Sequence, residues 1–250
     1  MVRIFDHSHA LCRGLRIHNC IAYYYPTQGI QVKQKTLFIA TTVILAVAFA
    51  LGISLYKSRK VEQVTQATSQ NSEALVRFHS PSLGNASAPV HIVEFLDPAC
   101  EACRAFYPFV KELMAAHPEK IRLSIRYAPF HQGADQVVKV LEASRKQGKY
   151  WQALEALLVA QPQWAPDHSA HLDLVWPHLE GLGLDMSRLK EDMKSQELVQ
   201  LIEQDLQDVK TLNVKGTPEF YVNGKPLPSF GPEQLQKLVE QELASTGTAK

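Results

Sequence analysis

The sequence predicts an α/β fold with a central sheet, an inserted all-helical subdomain and, ahead of both, one N-terminal transmembrane or signal-anchor helix. Three observations lead to this prediction. Residues 36–56 carry no charge. An apolar strand then runs directly into a Cys-x-x-Cys sequence and a helix, and residues from about 132 to 210 show only helical patterning before the next strand. Strands separated by helices are typical of α/β folds.

Composition excludes several classes of protein. Lys and Arg number 26 against 25 Asp and Glu, a formal net charge of +1. Binding to phosphates needs an excess of basic residues, so nucleic acid is not an expected partner. The 46% hydrophobic and 20% charged residues are ordinary for a globular chain. Four cysteines are too few for a disulfide-stapled miniprotein, so their positions matter more than their number.

The uncharged segment, TLFIATTVILAVAFALGISLY, predicts a membrane helix at residues 36–56. At about 1.5 Å per residue it would reach roughly 31 Å, about the hydrocarbon thickness of a bilayer. A buried helix of a soluble protein is the alternative, but such helices normally carry a polar stripe. Lys and Arg are equally frequent in the twenty residues on either side, and Arg3 and Arg13 add to the N-terminal side. We therefore expect a single pass through the cytoplasmic membrane with the following domain outside the cytoplasm.

A cleavage pattern lies within the same segment. Ala48-Phe49-Ala50 has the small-x-small form of a signal-peptidase site, and cleavage near Ala50 would release a soluble periplasmic protein. The mature chain would then start on apolar residues, Leu51-Gly52-Ile53. An uncleaved anchor is therefore the favoured interpretation.

Two polar segments flank the anchor. We interpret residues 1–35 as a cytoplasmic arm, or as the product of a start codon assigned too far upstream. The arm contains several possible zinc ligands, but their spacing matches no closed zinc site; they are His7, His9, Cys12, His18 and Cys20. Residues 57–80 are rich in Gln, Ser and Thr and predict a flexible tether to a domain that comprises residues 81–250.

The first strand of that domain leads into a pair of cysteines. Residues 89–96, PVHIVEFL, are β-branched and apolar and predict a buried strand. They are followed by Asp97-Pro-Ala-Cys100-Glu101-Ala102-Cys103 and by RAFYPFVKELMAAH, in which apolar residues recur at helical spacing. Both cysteines therefore lie in the first turn of a helix that follows a central strand.

This placement gives the two sulfurs different chemistry. With two residues between them at a helix start, the sulfurs can approach bonding distance. Cys100 lies among unpaired backbone N–H groups at the positive end of the helix dipole, so its thiolate is stabilised and its pKa falls. Cys103 lies one turn inside the helix, where shielding suits it to resolve a mixed disulfide. We expect Cys100 to be reachable from solvent.

Other uses of a Cys-x-x-Cys sequence lack their further requirements. A c-type haem needs His after the second Cys, and Arg104 stands there. Zinc needs two more ligands, and the exported part has neither a second Cys-x-x-Cys nor a His-x-His pair. We therefore predict no metal, while a purely structural disulfide remains an alternative.

The remaining elements complete the predicted sheet. Residues 120–128, KIRLSIRYA, alternate apolar and polar side chains and predict a second strand. The helical insertion of about 132–210 follows. Gly216-Thr217-Pro218 then precedes a strand at 219–222, and Asn223-Gly224 is a strong hairpin signal. An amphipathic helix at 231–243 ends the domain.

In this order the elements resemble the thioredoxin fold with a helical insertion, and more narrowly the DsbA-like family of extracytoplasmic thiol-disulfide oxidoreductases. SPSLGNASAPVHIVEFLDPACEAC is similar to that family's first strand and active site, and VKGTPEFYVNGKPL resembles its proline loop and hairpin. The resemblance covers about residues 81–245. It implies a cis Thr217–Pro218 bond facing the disulfide, with the Thr217 backbone pairing with an extended substrate peptide under a helical cap.

The resemblance also implies an activity. The enzyme would exchange a Cys100–Cys103 disulfide with unfolded or partly folded exported proteins, with no other cofactor, and a membrane redox partner would reoxidise or reduce it. An oxidase of moderate potential is the favoured interpretation. The alternatives are a reductase or isomerase fed by a membrane electron donor, and a non-catalytic peptide-binding module.

Some residues are expected to tune the site. Glu101-Ala102 stand where the strongly oxidising members carry Pro-His. A carboxylate beside Cys100 would oppose its negative charge by on the order of 1 kcal/mol, which predicts a weaker oxidant. Glu94 and Asp97 are each either a proton acceptor for Cys103 or an ordinary polar residue near the strand end. His131 lies either near the active site or in a local hydrogen bond at a helix start.

Overall fold

The computed structural model describes residues 34–70 and 72–247, in two compact units that meet at residues 52 and 53. The described part of the first unit belongs to helix α1 (Gln34–Gln70), which from Thr41 to Arg59 is long and apolar enough to cross a membrane. The exposed side chains of residues 41–59 agree with the anchor predicted at 36–56. The arm of residues 1–33, with its histidines and with Cys12 and Cys20, lies outside the described residues.

The segment predicted as a flexible tether, 57–80, is structured. Helix α1 continues to Gln70, and a short helix α2 (Ser72–Leu75) follows. Residues 57–70 contain neither Gly nor Pro, so a helix already nucleated by the apolar segment propagates through them. Ala74 and Leu75 are buried in a small hydrophobic cluster of the second unit. The tether prediction is therefore wrong for most of its length.

A five-stranded mixed sheet forms the centre of the second unit, in the order β1-β3-β2-β4-β5. Its strands are β1 (Ser82–Leu83), β2 (Val90–Leu96), β3 (Ile121–Tyr127), β4 (Glu219–Val222) and β5 (Lys225–Pro226). β2 and β3 are parallel, which requires a crossover, and helix α3 (Glu101–Ala116) lies within that connection. β4 is antiparallel to β2. The central strand β2 is buried on both faces, which accounts for its apolar sequence.

The helical insertion occupies the predicted region. Its helices are α4 (Ala134–Lys146), α5 (Tyr150–Trp164), α6 (Leu172–Val175), α7 (Met186–Asp192) and α8 (Gln196–Thr211), with 3-10 turns at Pro166–His168 and Trp176–Leu179. The final helix, α9 (Pro232–Gly247), packs against β2 and β4. The apolar stripes of α4 and α5 join the main core, in which Trp164 is fully buried.

A buried polar cluster ties the start of this unit to its sheet. Arg126 on β3 is fully buried and places Nη2 2.7 Å from both Asp205 and Asp208 of α8. Arg77 lies 2.7 Å from Asp208, and His79 lies 2.8 Å from Asp205. A buried guanidinium is tolerated only with such partners. The compact domain therefore begins before residue 81, at the residues that this cluster holds.

Candidate active site

The two cysteines lie where β2 passes into α3. Cys100 is the N-cap residue of α3; its N–H donates to the Asp97 carbonyl at 3.0 Å, and its carbonyl accepts from the Arg104 N–H at 3.1 Å. Cys103 lies one turn inside the helix and is fully buried. Both are free thiols, and the Cys103 thiol donates a hydrogen bond to the Cys100 sulfur. The structure therefore brings the pair together as the sequence predicts.

The two thiols have opposite proton affinities. The pKa of Cys100 is lowered to about 5, chiefly by the hydrogen bond from Cys103, with help from Thr217 and from the backbone N–H groups of Cys103 and Ala102, against the effect of burial. The pKa of Cys103 is raised well above its ordinary value, first by burial and then by the hydrogen bond to Cys100. At neutral pH Cys100 is therefore a thiolate and Cys103 is protonated.

Cys100 is less accessible than expected, since only 7% of its surface is exposed. The proline loop closes over it: the Thr217–Pro218 bond is cis, and the Thr217 carbonyl oxygen lies 3.2 Å from Cys100 Sγ, where it accepts a hydrogen bond when the thiol is protonated. A groove of about 420 Å³ opens beside this contact. It is lined by Ala102, Gly216, Thr217, Pro218, Glu219, Phe220, Leu227 and Phe230. A second polypeptide can therefore approach the sulfur along the loop, where apolar and backbone groups are exposed.

Glu94 lies on β2 beneath the two thiols. It is fully buried, and within the described part of the chain neither of its carboxylate oxygens has a hydrogen-bond partner. Burial, and then the charge of Cys100, raise its pKa to about 8. Its own charge helps to raise the pKa of Cys103. Glu94 is therefore a carboxyl that holds a proton at neutral pH and interacts with both sulfurs.

Asp97 is equally buried but fully engaged. Its carboxylate accepts hydrogen bonds from the backbone N–H groups of Ala99, Phe130 and His131 at 2.7 to 2.8 Å, and lies 2.7 Å from Nδ1 of His131. Asp97 thus holds the active-site turn against the loop that follows β3. The proton-acceptor interpretation fits Glu94 better, because both Glu94 carboxylate oxygens lack a hydrogen-bond partner among the described residues, whereas those of Asp97 are occupied by backbone N–H groups.

His131 contacts the carboxylate of Asp97 through Nδ1, at 2.7 Å. Its contact with Asp97 places it beside the active-site turn, and because Asp97 is 34 positions away in sequence this contact is not the local hydrogen bond of the alternative. Its ring also stacks on His168, with centroids 5.5 Å apart.

Glu101 and Ala102, between the cysteines, differ in their surroundings. Glu101 is exposed, and the main contributions to the pKa of Cys100 come from Cys103, Thr217 and backbone N–H groups rather than from Glu101. Water screens its carboxylate, so its opposition to the thiolate is weaker than the sequence argument assumes. Ala102 is partly buried and lines the groove.

Sequence reasoning missed Gln161 of α5. Its buried amide Nε2 donates to the carbonyls of Pro98 at 2.7 Å and Cys100 at 2.9 Å, and its Oε1 accepts from Arg104 Nε at 3.1 Å. Gln161 thereby connects the helical insertion to the active-site turn. A signal exists in the sequence: Gln161 continues the apolar stripe of Leu154, Leu157 and Trp164 at helical spacing, and a polar residue in such a stripe needs a buried partner.

No group of three or more His, Cys, Asp or Glu residues in the described ranges 34–70 and 72–247 is arranged to hold a metal ion. The groups that the structure places at the site are the two thiols, the adjacent carboxyl and the loop backbone.

Comparison with known proteins gives matches of two kinds by sequence. The Na(+)/H(+) antiporter NhaA 3 of Salinispora tropica is 29% identical over 170 residues, which are 67% of this chain and 25% of the antiporter. The chain thus spans about a quarter of the length of such relatives. The probable disulfide bond formation protein D of Bacillus anthracis is 24% identical over 220 residues, 84% of this chain and 97% of that protein.

Solved structures agree with the fold. A thioredoxin-like oxidoreductase from Silicibacter pomeroyi DSS-3 has a TM-score of 0.60 and 29% identity over 71% of this chain and 98% of its own. The thiol-disulfide exchange protein α-DsbA2 of Wolbachia pipientis has a TM-score of 0.62 and 21% identity, over 73% and 97%. The predicted fold and the DsbA-like resemblance are confirmed.

The sequence pattern of one family, described as Thioredoxin, matches residues 78–241 of this chain. That range contains all five strands of the sheet, the helical insertion and both active-site cysteines. Because the match covers well over half of the sequence, this chain belongs to the thioredoxin family.

Proposed function

We propose that this protein is an extracytoplasmic thiol-disulfide oxidoreductase that exchanges a Cys100–Cys103 disulfide with exported proteins. The observation that carries the proposal is the opposite pKa shifts of two adjacent thiols at a helix N-terminus. A low-pKa sulfur is a good leaving group and an abundant nucleophile, while its buried partner stays protonated until it is needed. The names of the Bacillus anthracis and Wolbachia pipientis proteins support the same chemistry.

In the oxidising direction, a substrate thiolate attacks the Cys100 sulfur of the disulfide. A bond forms between the substrate and Cys100, and Cys103 leaves as a thiolate. A second substrate thiolate then attacks the substrate sulfur of the mixed disulfide and releases Cys100. The substrate loses two electrons and gains a disulfide, and the enzyme ends as a dithiol.

Glu94 is suited to the proton transfers that this exchange requires. A departing Cys103 thiolate has a raised pKa and takes up a proton, and the buried Glu94 carboxyl holds one at neutral pH. In the reverse direction Cys103 must lose its proton before it attacks the mixed disulfide. Cys100 is bonded and uncharged in that intermediate, which removes one of the two causes that raise the pKa of Glu94, so Glu94 can ionise and accept the proton. Glu94 therefore acts as acid and as base for the buried sulfur.

Substrate binding is assigned to the proline loop and the groove beside it. Thr217 and Pro218 line that groove, and the Thr217 carbonyl already contacts Cys100. An extended chain that pairs with the Thr217 backbone would place its own sulfur at Cys100. Unfolded or partly folded exported proteins offer such extended segments.

The direction favoured is oxidation at moderate potential. A thiolate with a pKa of about 5 stabilises the reduced enzyme, which makes its disulfide a better oxidant. A membrane redox partner would return the enzyme to the disulfide form. We further assign the apolar part of α1 to a single-pass anchor that holds the domain outside the cytoplasm, and membrane fractionation separates this from cleavage near Ala50.

Two cysteine variants test the proposal. Cys100→Ser should abolish reduction of insulin, whereas Cys103→Ser should accumulate mixed disulfides with exported proteins, because the resolving thiol is missing. A non-catalytic peptide-binding module would show neither effect. Alkylation of the protein in cells then determines the direction: a mostly oxidised pair indicates an oxidase, and a mostly reduced pair indicates a reductase or isomerase.

A further inference from the structure

A second apolar groove, of about 440 Å³, is lined by the residues that immediately precede the proline loop. Its apolar lining comes from Phe130, Leu206, Val209 and Val214. Two cationic side chains, Lys210 and Lys215, also line it. We call it the lysine groove. It shares no lining residue with the groove beside Pro218, so the two are separate surfaces on consecutive parts of one loop.

Two short connections link the lysine groove to the reacting sulfur. Lys215 is two residues before Thr217, whose carbonyl lies 3.2 Å from Cys100 Sγ. Phe130 donates its N–H to the Asp97 carboxylate at 2.7 Å, and the Asp97 carbonyl accepts from the Cys100 N–H. An extended chain advances about 3.3 Å per residue, so side chains a few positions from a substrate cysteine can reach this groove.

The surfaces of the groove combine apolar and positive character. Phe130 is 45% exposed and presents apolar surface beside the two cations. Lys210 and Lys215 are exposed, and neither forms an ion pair with any residue of 34–70 or 72–247. The acid nearest to Lys210 in sequence, Asp208, forms ion pairs with Arg77 and Arg126. The cations are therefore available to an incoming carboxylate.

The groove beside Pro218 has the opposite charge. It is lined by Glu219, and a Glu219 oxygen accepts the Lys215 N–H at 3.3 Å. A polypeptide that crosses the proline loop thus meets a carboxyl along one part of its path and two ammonium groups along another. Such an arrangement discriminates between substrates by the sign of the charges near their cysteine.

We propose that the lysine groove is a second substrate subsite, which takes a segment of an exported polypeptide that has a bulky apolar residue next to Asp or Glu, near the reacting cysteine. The apolar residue packs on Phe130, and the carboxylate lies between Lys210 and Lys215. This inference rests on the proposed thiol-disulfide exchange and names the class of sequence that the exchange favours.

The test uses the full chain in detergent and short dithiol peptides that differ at one position. One series carries Leu-Asp near a cysteine, scanned along both sides, and the matched series carries Leu-Lys. We expect the best acidic peptide to reduce the oxidised enzyme about fivefold faster than its lysine counterpart at low salt, and the difference should shrink in high salt. Reaction with reduced glutathione, which is too small to reach both surfaces, serves as the reference rate.

Variants assign the effect to the groove. The double variant Lys210→Glu, Lys215→Glu should reverse the preference and leave the melting temperature unchanged. Lys237→Glu, on the exposed face of α9, is the matched control and should preserve the preference. Phe130→Ala should slow both peptide series alike by about fivefold, through lost apolar contact, while Phe78→Ala, which removes a fully exposed ring, should not.

Three outcomes overturn the inference. Equal rates for acidic and basic peptides on an enzyme that still oxidises both would remove the subsite and leave the proposed function intact. A double variant that loses binding to anionic phospholipid vesicles but keeps its peptide preference would assign the lysines to a membrane surface. No reaction with any peptide or with glutathione would reject the proposed function itself.

Discussion

Two buried polar regions of the domain treat charge in opposite ways. In the Arg126 cluster every charge has a partner. Burial acts to raise the pKa of Asp208, but hydrogen bonds from Arg77 and Arg126 keep that pKa below its usual value. At the active site Glu94 is buried without a partner in the described residues, and its pKa rises to about 8. A satisfied cluster stabilises a fold, whereas an unsatisfied carboxyl is destabilising and is kept beside chemistry that uses it.

Removing Arg126, the cation at the centre of the buried cluster, should have the largest effect on stability. Arg126→Met leaves Asp205 and Asp208 buried without their main partner, so we expect a loss of about 3–5 kcal/mol in the free energy of unfolding, measured by urea denaturation. Arg188→Met removes an exposed arginine of α7 and should cost little. A loss below about 1 kcal/mol for Arg126→Met would show that the cluster does not hold the domain together.

Glu94→Gln should raise the free energy of unfolding, whereas Arg126→Met lowers it. The folded pKa of Glu94 lies above its unfolded value, so the folded state binds the proton more tightly, and this residue's contribution to stability is lost as pH rises from about 4.5 to 8. The variant removes that loss, and we expect a gain on the order of 2–4 kcal/mol at pH 8 and none at pH 4. Glu242→Gln, at a buried carboxylate bonded to Lys225 and Asn223, should give no such gain.

The same Glu94 variant should be slower in exchange. Without the carboxyl, Cys103 has no adjacent proton acceptor, and resolution of mixed disulfides should slow, by roughly tenfold or more. If the variant is more stable but resolves mixed disulfides at the same rate, Glu94 has no part in proton transfer and only destabilises the fold.

Gln161→Leu tests the connection between the insertion and the active-site turn. It leaves the Pro98 carbonyl without the Gln161 donor and removes one of two donors to the Cys100 carbonyl, so we expect a loss of about 1–3 kcal/mol in stability. The loosened turn should also raise the pKa of Cys100, which is measured from the pH dependence of the thiolate absorbance. Gln163→Leu, exposed on the same helix, is the control. A stability loss without any pKa change would confine Gln161 to packing.

Glu101→His should have the smallest effect. The new side chain removes an opposing carboxylate and can donate to the thiolate, which makes the enzyme more oxidising. Because residue 101 is exposed, we expect a rise of about 10–20 mV in potential against glutathione. A potential that falls would reverse the inferred role of this position.

Local features of the site could be predicted from sequence, and features that depend on distant residues could not. The strand, the cysteine pair and the helix start follow from residues 89–116, because periodicity and the helix dipole act over short ranges. Asp97 and Glu94 could not be told apart, since the donors that satisfy Asp97 come from the loop at residues 128–131.

Segments that depend on tertiary contacts show the same limit. The polar composition of residues 57–80 predicts a tether, but Arg77 and His79 pair with acids of α8 far along the chain. Gln161 reads as part of a core helix until its partners in the active-site turn are known. The lysine groove likewise depends on α8, residues 213–215 and the loop after β3 coming together.

The central claim is that Cys100 is a stabilised thiolate while Cys103 is not. The direct measurement is the pH dependence of alkylation of the reduced enzyme, with Cys103→Ala to confirm which thiol reacts. In the native pair the rate should follow one ionisation with a midpoint near pH 5, fall as the pH drops below it, and leave Cys103 unmodified. A midpoint near 8.5, the value of an unperturbed cysteine, would contradict the account.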